Sequence, residues 1–361
     1  MKQLENILEN QNIGELAHQF SRSSQQLNQL HETDSELIDI KGNESDYLAI
    51  TIDTISDEIA EGLYKDPFTM GWVTVMANLS DLAAVGANPI GIVTAVSLEK
   101  SREKTFRNRI AQGIEEACRK AGTFILGGDL NITRSISLTG CAIGTVPKTR
   151  ELTRIGLKEG DVLYLSGKAG GGNALGLTRK INLPEEMYPE KTYRPIARIK
   201  EGQLIGKFAS SCMDTSDGLF ITIDQLIRLN DRGCSIVANW EQILEKGVYQ
   251  LCTKLDIPYW FMAAGIHGEF ELVFTVPYKN VSPFLEQAQK MDFHPISLGK
   301  IIDTPRFEIT QKSQKTAVID MTPLRNLWTD IPGNMSYIIE KHYTFGQKWG
   351  LNQPSSKFKG L

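Results

Sequence analysis

Residues Asn78–Pro89 read NLSDLAAVGANP, the end of a helix followed by a Gly86–Pro89 turn into a strand. Upstream, Trp72, Val75, Met76, Leu79, Leu82 and Ala83 recur at helical spacing, so the helix runs back past Trp72. Before it, Leu48, Ile50 and Ile52 alternate with Ala49, Thr51 and Asp53, the period of a strand ending at Asp53-Thr54. Downstream, Ile90–Leu98 (IGIVTAVSL) is a second strand. A long amphipathic helix follows, with Phe106, Ile110, Ile114, Ala117 and Cys118 on one face and Gly122 at its C-terminal end. TFILGGD then reads as a short apolar strand broken by its two glycines, and SISLTGCAIGTV as another strand. This alternation, up to about Val146, is α/β in character.

The second half repeats the style with different words. The polar stretch Pro147–Gly160 leads to the strand DVLYLSG, and a glycine-rich turn, GKAGGGNALG, follows. A polar, proline-containing insertion spans Asn182–Pro195; SSCMDTSDGLFITIDQLIRL is then strand, turn and helix, and EFELVFTVP is a strand ending at Pro277. At 361 residues the chain exceeds one ordinary core. The expected division is a helical extension over 1–30, an N-terminal domain over 31–148, a C-terminal domain over 149–340 and a loosely held tail over 341–361.

Hydrophobic residues make up 41% and charged residues 23%, the balance of a globular protein, and the formal net charge is −4. No strongly basic segment exists, so nucleic acid is not an expected partner. The N-terminus lacks the apolar run of a signal peptide and no segment is long enough to span a bilayer, so no membrane association and a cytoplasmic location are expected. Five widely spaced cysteines fit reduced thiols better than a disulfide framework or a zinc site. The five histidines show no metal-ligand spacing.

Chemistry is carried instead by aspartates at strand ends or in turns that feed helices: Asp53 in TIDT, Asp129 in GGDLN, and Asp214 and Asp217 in MDTSDGL. Asp81 lies on a helix beside its apolar stripe. Hard cations such as Mg²⁺ are held by a few carboxylates together with substrate phosphates, which suits phosphoryl transfer. Each residue also has an ordinary structural role open to it: Asp217 as a helix cap, Asp53 as a solvated strand end, Asp81 as a surface charge. The glycine-rich turn Gly167–Gly176 could offer backbone amides to a phosphate, or need glycine for its geometry alone; it is not a Walker A motif.

Read in order, ITIDT (Ile50–Thr54), NLSDLAAVGANP, AGTFILGGD (Ala121–Asp129) and MDTSDGL (Met213–Leu219) resemble the thiamine-monophosphate kinase family of the aminoimidazole-ribonucleotide-synthetase-like superfamily. ELTRIGLKEGDVLYLSG (Glu151–Gly167) is similar to that family's domain junction and EFELVFTVP to its late strand. The resemblance implies two α/β domains, an N-terminal one pairing in a homodimer and a C-terminal one closing over nucleotide. It implies ATP as co-substrate, a small phosphorylated acceptor, and Mg²⁺ held by Asp53, Asp81, Asp129 and Asp217. Asp129 and Asp217 are the implied catalytic residues; Asp34, Thr54, Gly128, Gly170, Gly171 and Ser216 are the implied nucleotide contacts.

Departures from the family pattern touch the same places. Its early Gly-Asp-Asp falls on Glu32-Thr33-Asp34, and its Gly-Gly-Asp-Thr on Gly127-Gly128-Asp129-Leu130. Its late Gly-Gly-Glu-Asp-Tyr-Glu-Leu falls on Ile266–Leu272, and its Gly-Asp-Ser on Gly171-Gly172-Asn173. Three functions are therefore weighed: a kinase, an ATP-dependent synthetase or dehydratase, and a degenerate nucleotide-binding relative.

Overall fold

The computed structural model describes residues 4–311, 316–330 and 335–351. Its architecture is mixed α/β, built on two sheets. The first has five strands: β1 (Glu36–Ile38), β2 (Asp46–Thr54), β3 (Asn88–Glu99), β4 (Ile125–Thr133) and β5 (Ser137–Pro147), in the order β1-β2-β5-β3-β4. The second has seven: β6 (Val162–Leu165), β7 (Ser211–Asp214), β8 (Gly233–Ala238), β9 (Leu272–Val276), β10 (Ile296–Ile302), β11 (Phe307–Gln311) and β12 (Ala317–Ile319). Their order is β12-β11-β8-β10-β6-β9-β7.

The helix Pro67–Ala84 joins the halves. Asp66 caps its start by accepting from the Phe68 amide, and Pro67 occupies the first turn, where no N–H is needed. From Thr69 to Ala84 every residue but Asp81 is buried, the mark of a helix enclosed on all sides. One side lies on the first sheet. Another meets the Lys104–Ala121 helix so closely that a Cβ on Gly113 would sit 2.1 Å from the Phe68 carbonyl oxygen. A third faces the second half, where Trp72 Nε1 donates to the Pro195 carbonyl at 2.7 Å and Ser80 Oγ to the Phe270 carbonyl at 3.3 Å.

Alternation is regular along β5, where residues from Leu138 to Val146 are buried at every second position. Those face the helices. The opposite face carries Ile50, Ile52, Cys141 and Ile143, none of them fully buried. Ile52 is 71% exposed.

Three expectations need correcting. The strand through TFILGGD does not break at its glycines: β4 runs on through Gly127 and Gly128 to Thr133, held by parallel pairing to β3. In the N-terminal extension, expected to be helical over 1–30, the regular α-helix among the described residues is Leu8–Ala17, and Phe20 lies beyond it and is exposed. The extension is tied to the second half through Leu8 N to Asn326 Oδ1 (2.9 Å) and Asn10 to Gln225 (3.3 Å). The tail expected from residue 341 is instead largely helix, Met335–Trp349, with Trp349 buried edge-on to Trp260; residues 352–361 lie outside the described range. The polar insertion Asn182–Pro195 proves to be a strap: buried Glu190 accepts from the Lys65 and Asp66 amides at 3.0–3.1 Å and pairs with Arg179.

Removing that carboxylate leaves two amides unsatisfied and weakens the hold on a guanidinium that is 9% exposed. Glu190→Ala should cost about 3 kcal/mol of unfolding free energy in urea titrations, and Glu190→Gln less, because Gln can still accept one amide.

Candidate metal and nucleotide site

Three carboxylates converge where the halves meet. Asp34 comes from the loop before β1, Asp81 from the enclosed helix and Asp214 from the end of β7, and a ligand oxygen of each lies within 4.8 Å of the others. Each is oriented by a neighbour. Thr51 Oγ1 donates to Asp81 Oδ2 at 2.5 Å. Ser216 donates to Asp214 Oδ1 through its hydroxyl at 3.1 Å and its amide at 3.4 Å. Arg154 grips Asp34 with Nη2 to Oδ1 at 2.8 Å and Nε to Oδ2 at 3.2 Å.

Burial makes this arrangement costly without a cation. It raises the Asp214 carboxyl to about 7, with the neighbouring Asp34 charge adding to the effect. Asp81 is likewise pushed well above the ordinary aspartate value, first by burial, then by Asp214 and Asp34. Asp214 Oδ2 is buried with no hydrogen-bond partner. An orphaned carboxylate oxygen facing two more carboxylates fits Mg²⁺, which prefers oxygen ligands and commonly takes a few carboxylates.

A second group of acids stands beside the first. Asp53 is on the same face of β2 as Thr51, and its amide donates to Asn78 Oδ1 at 2.9 Å. Asn78 packs where a Cβ on Gly140 would lie, so the helix and β5 meet at this point. Asp217 is raised to about 7 by burial and then by the Glu9 charge, with Asp53 a smaller contributor. Glu58 is raised to about 7 by burial and by Asp53, Asp57 and Asp217.

Of the residues singled out in the sequence, Asp34, Asp53, Asp81, Asp217 and Ser216 thus gather in one cleft. Asp129 and Thr54 do not join them. Because β4 continues through its glycines, Asp129 pairs with Ala95, which pairs with Thr139, which pairs with Thr54, all on the open face of the sheet. Asp129 is exposed, and Asn131 Nδ2 donates to it at 2.6 Å. Gly128 borders a cavity of about 730 Å³ between β4 and the Lys104–Ala121 helix, with Lys104, Arg107 and Asn108 on its rim.

The glycine-rich turn is also different from a phosphate loop. Gly170 starts the helix Gly171–Lys180, and its amide donates to Glu269 Oε1 at 2.5 Å. The anion in this nest is the protein's own buried carboxylate. A Cβ on Gly171 would lie 2.6 Å from Glu245 Oε1, so a second acid stands over the turn. Two acidic side chains therefore crowd the turn, and the Gly170 amide is engaged by one of them rather than open to a nucleotide.

Sequence reasoning left Asp214 out of the metal set although it is the first acid of MDTSDGL, a strand-end position like Asp53. Arg154 sits in the polar junction and Glu58 on the short helix Ser56–Ala60, where nothing in the local pattern marks them. Thr33, at a family aspartate position, has a buried hydroxyl without a partner. At Gly268, where the family has glutamate, a Cβ would fall 1.5 Å from the Thr215 carbonyl oxygen.

Residues 32–146 match the family model "AIR synthase related protein, N-terminal domain". The thiamine-monophosphate kinase of Archaeoglobus fulgidus is 30% identical over 230 residues, 63% of this chain and 73% of that one. Its counterpart from Pyrococcus horikoshii is 32% identical over 247 residues, covering 67% and 76%. Among solved structures, AaThiL complexed with AMPPCP and TMP superposes with a TM-score of 0.69 at 21% identity, covering 87% of this chain and 96% of that one, a likeness of fold. Identity at this level over about three quarters of the relatives' length, with the fold matched across nearly all of it, means that the chain belongs to the thiamine-monophosphate kinase family.

Proposed function

We propose that this chain is a Mg²⁺-dependent kinase that passes the γ-phosphoryl group of ATP to thiamine monophosphate, yielding ADP and thiamine diphosphate. The observation that carries the reading is the Asp34–Asp81–Asp214 cluster with its orphaned Asp214 oxygen. Relatives named thiamine-monophosphate kinase support the reaction, and the AaThiL complex with AMPPCP and TMP supports the pair of ligands. Bound Mg²⁺ would neutralise and position phosphate oxygens. In the reaction, an oxygen of the acceptor phosphate forms a bond to the γ-phosphorus as the bond to the ADP oxygen breaks. A phosphate monoester is already largely dianionic at neutral pH, so the attacking oxygen needs no general base. The protein's task is positioning and charge. Asp34, Asp81 and Asp214 would hold the ion, with Thr51 and Ser216 fixing the last two, while Asp53 and Asp217 face the same cleft.

We assign the open face of the first sheet to a second copy of the chain, because a sheet face bearing Ile50, Ile52, Cys141 and Ile143 is normally covered. Thr54 and Asp129 would then lie at the homodimer interface. A cytoplasmic location belongs to the same reading; among the described residues no helix is long and apolar enough to cross a membrane.

Incubation with Mg²⁺, ATP and thiamine monophosphate, followed by mass analysis, should yield thiamine diphosphate. Asp214→Asn should lower Mg²⁺ affinity by about tenfold or more and product formation with it; wild-type affinity and rate in that variant would remove the cluster from the site. The Asp214 shift from 3.8 to about 7 means that the folded chain keeps a proton the unfolded chain releases. Metal-free stability should therefore fall as pH rises across that window, and Mg²⁺ affinity, measured calorimetrically, should rise through it. Ile52→Lys should shift sedimentation from dimer to monomer.

A further inference from the structure

Asp34 differs from the other two cluster members in having both oxygens engaged by a cation already. The Arg154 fork binds it bidentately, and the two side chains are 16% and 1% exposed for Arg154 and Asp34. Arg154 is itself pinned: its amide donates to the Glu32 carbonyl at 2.8 Å, and Asn230 Nδ2 donates to its carbonyl at 2.8 Å. Asp81 accepts from the Thr51 hydroxyl and Asp214 from Ser216, both neutral, so among the described residues the Arg154 fork is the positive charge bonded to the three acids. Asp34 Oδ1 also accepts from the Asp214 amide at 3.5 Å, which ties the segments of the two acids together.

We propose that Arg154 is the resident counter-ion of the cluster, holding it together without metal and competing with an incoming divalent ion for Asp34. This rests on reading the cluster as the metal site. A guanidinium and a dication sharing one carboxylate repel each other, and in a shielded site that repulsion is far stronger than in water. Metal entry then requires the fork to loosen or to bear that repulsion, so Arg154 sets how much metal is needed to load the site. It acts through Asp34 and is a positioning residue.

The test separates this role from simple scaffolding, because the two predict opposite signs. Mn²⁺ binding would be followed by electron paramagnetic resonance, and melting temperature with and without Mn²⁺, in wild type, Arg154→Gln, Arg154→Lys and Asp214→Asn. Arg154→Gln should melt lower than wild type without metal yet bind Mn²⁺ at least about threefold more tightly, giving a larger metal-induced rise in melting temperature. Arg154→Lys, which keeps the charge and loses the fork, should bind close to wild type. If Arg154→Gln binds Mn²⁺ equally or more weakly while Asp214→Asn abolishes binding, the metal site stands and the counter-ion role is overturned. If wild type and Asp214→Asn bind Mn²⁺ alike, the metal reading itself falls and takes this one with it. Should Arg154→Gln fail to fold, the Arg154 Nε–H resonance of ¹⁵N-labelled wild type decides. A shift on saturation with Mg²⁺ supports the competition, and an unchanged resonance overturns it.

Discussion

Everything in this molecule is arranged around a helix that has almost no surface of its own. Pro67–Ala84 is enclosed by the first sheet, by a neighbouring helix at backbone contact and by the second half of the chain. An element buried on all sides cannot shift without disturbing three interfaces, because protein interiors pack at crystal density. From Thr69 onward its one opening is Asp81. The acid therefore projects from the most constrained part of the structure, and the partners that complete the cluster come from separate segments on either side of it.

That origin explains the electrostatics. Asp34 precedes the first sheet and Asp214 ends a strand of the second, so the cluster is complete only when both halves are in place. Bringing three carboxylates together in a buried site works against folding, and the protein offsets it with one arginine, two hydroxyl neighbours and retained protons. A structure assembled for stability alone would have placed apolar side chains there. Crowded acids with raised pKa values of this kind are a feature that functional sites share.

Much of this was legible in the chain. Helical spacing from Trp72 to Ala83 and alternation from Leu48 to Asp53 located the elements, and the aspartates at their ends located most of the cleft. What failed had physical reasons. Gly127 and Gly128 look like a strand break, yet parallel pairing with β3 carries the strand through them and turns Asp129 to the opposite face. The glycine-rich turn has the amides of an anion nest, but its anion is Glu269, about a hundred residues away in sequence and invisible to any local pattern. Trp349 sits among lysines and glycines that suggest a loose end; only the distant Trp260 ring makes it a buried residue. Arg154 shows the same limit, since its partner Asp34 lies far upstream.

With the Thr215 carbonyl 1.5 Å from where a Cβ would be, Gly268 admits no side chain without moving backbone. The same contact lies against Ser216, whose amide and hydroxyl hold Asp214. A residue with no side chain thus governs the path of the main chain beside the strand-end acid, and the cluster's geometry depends on an atom that is not there.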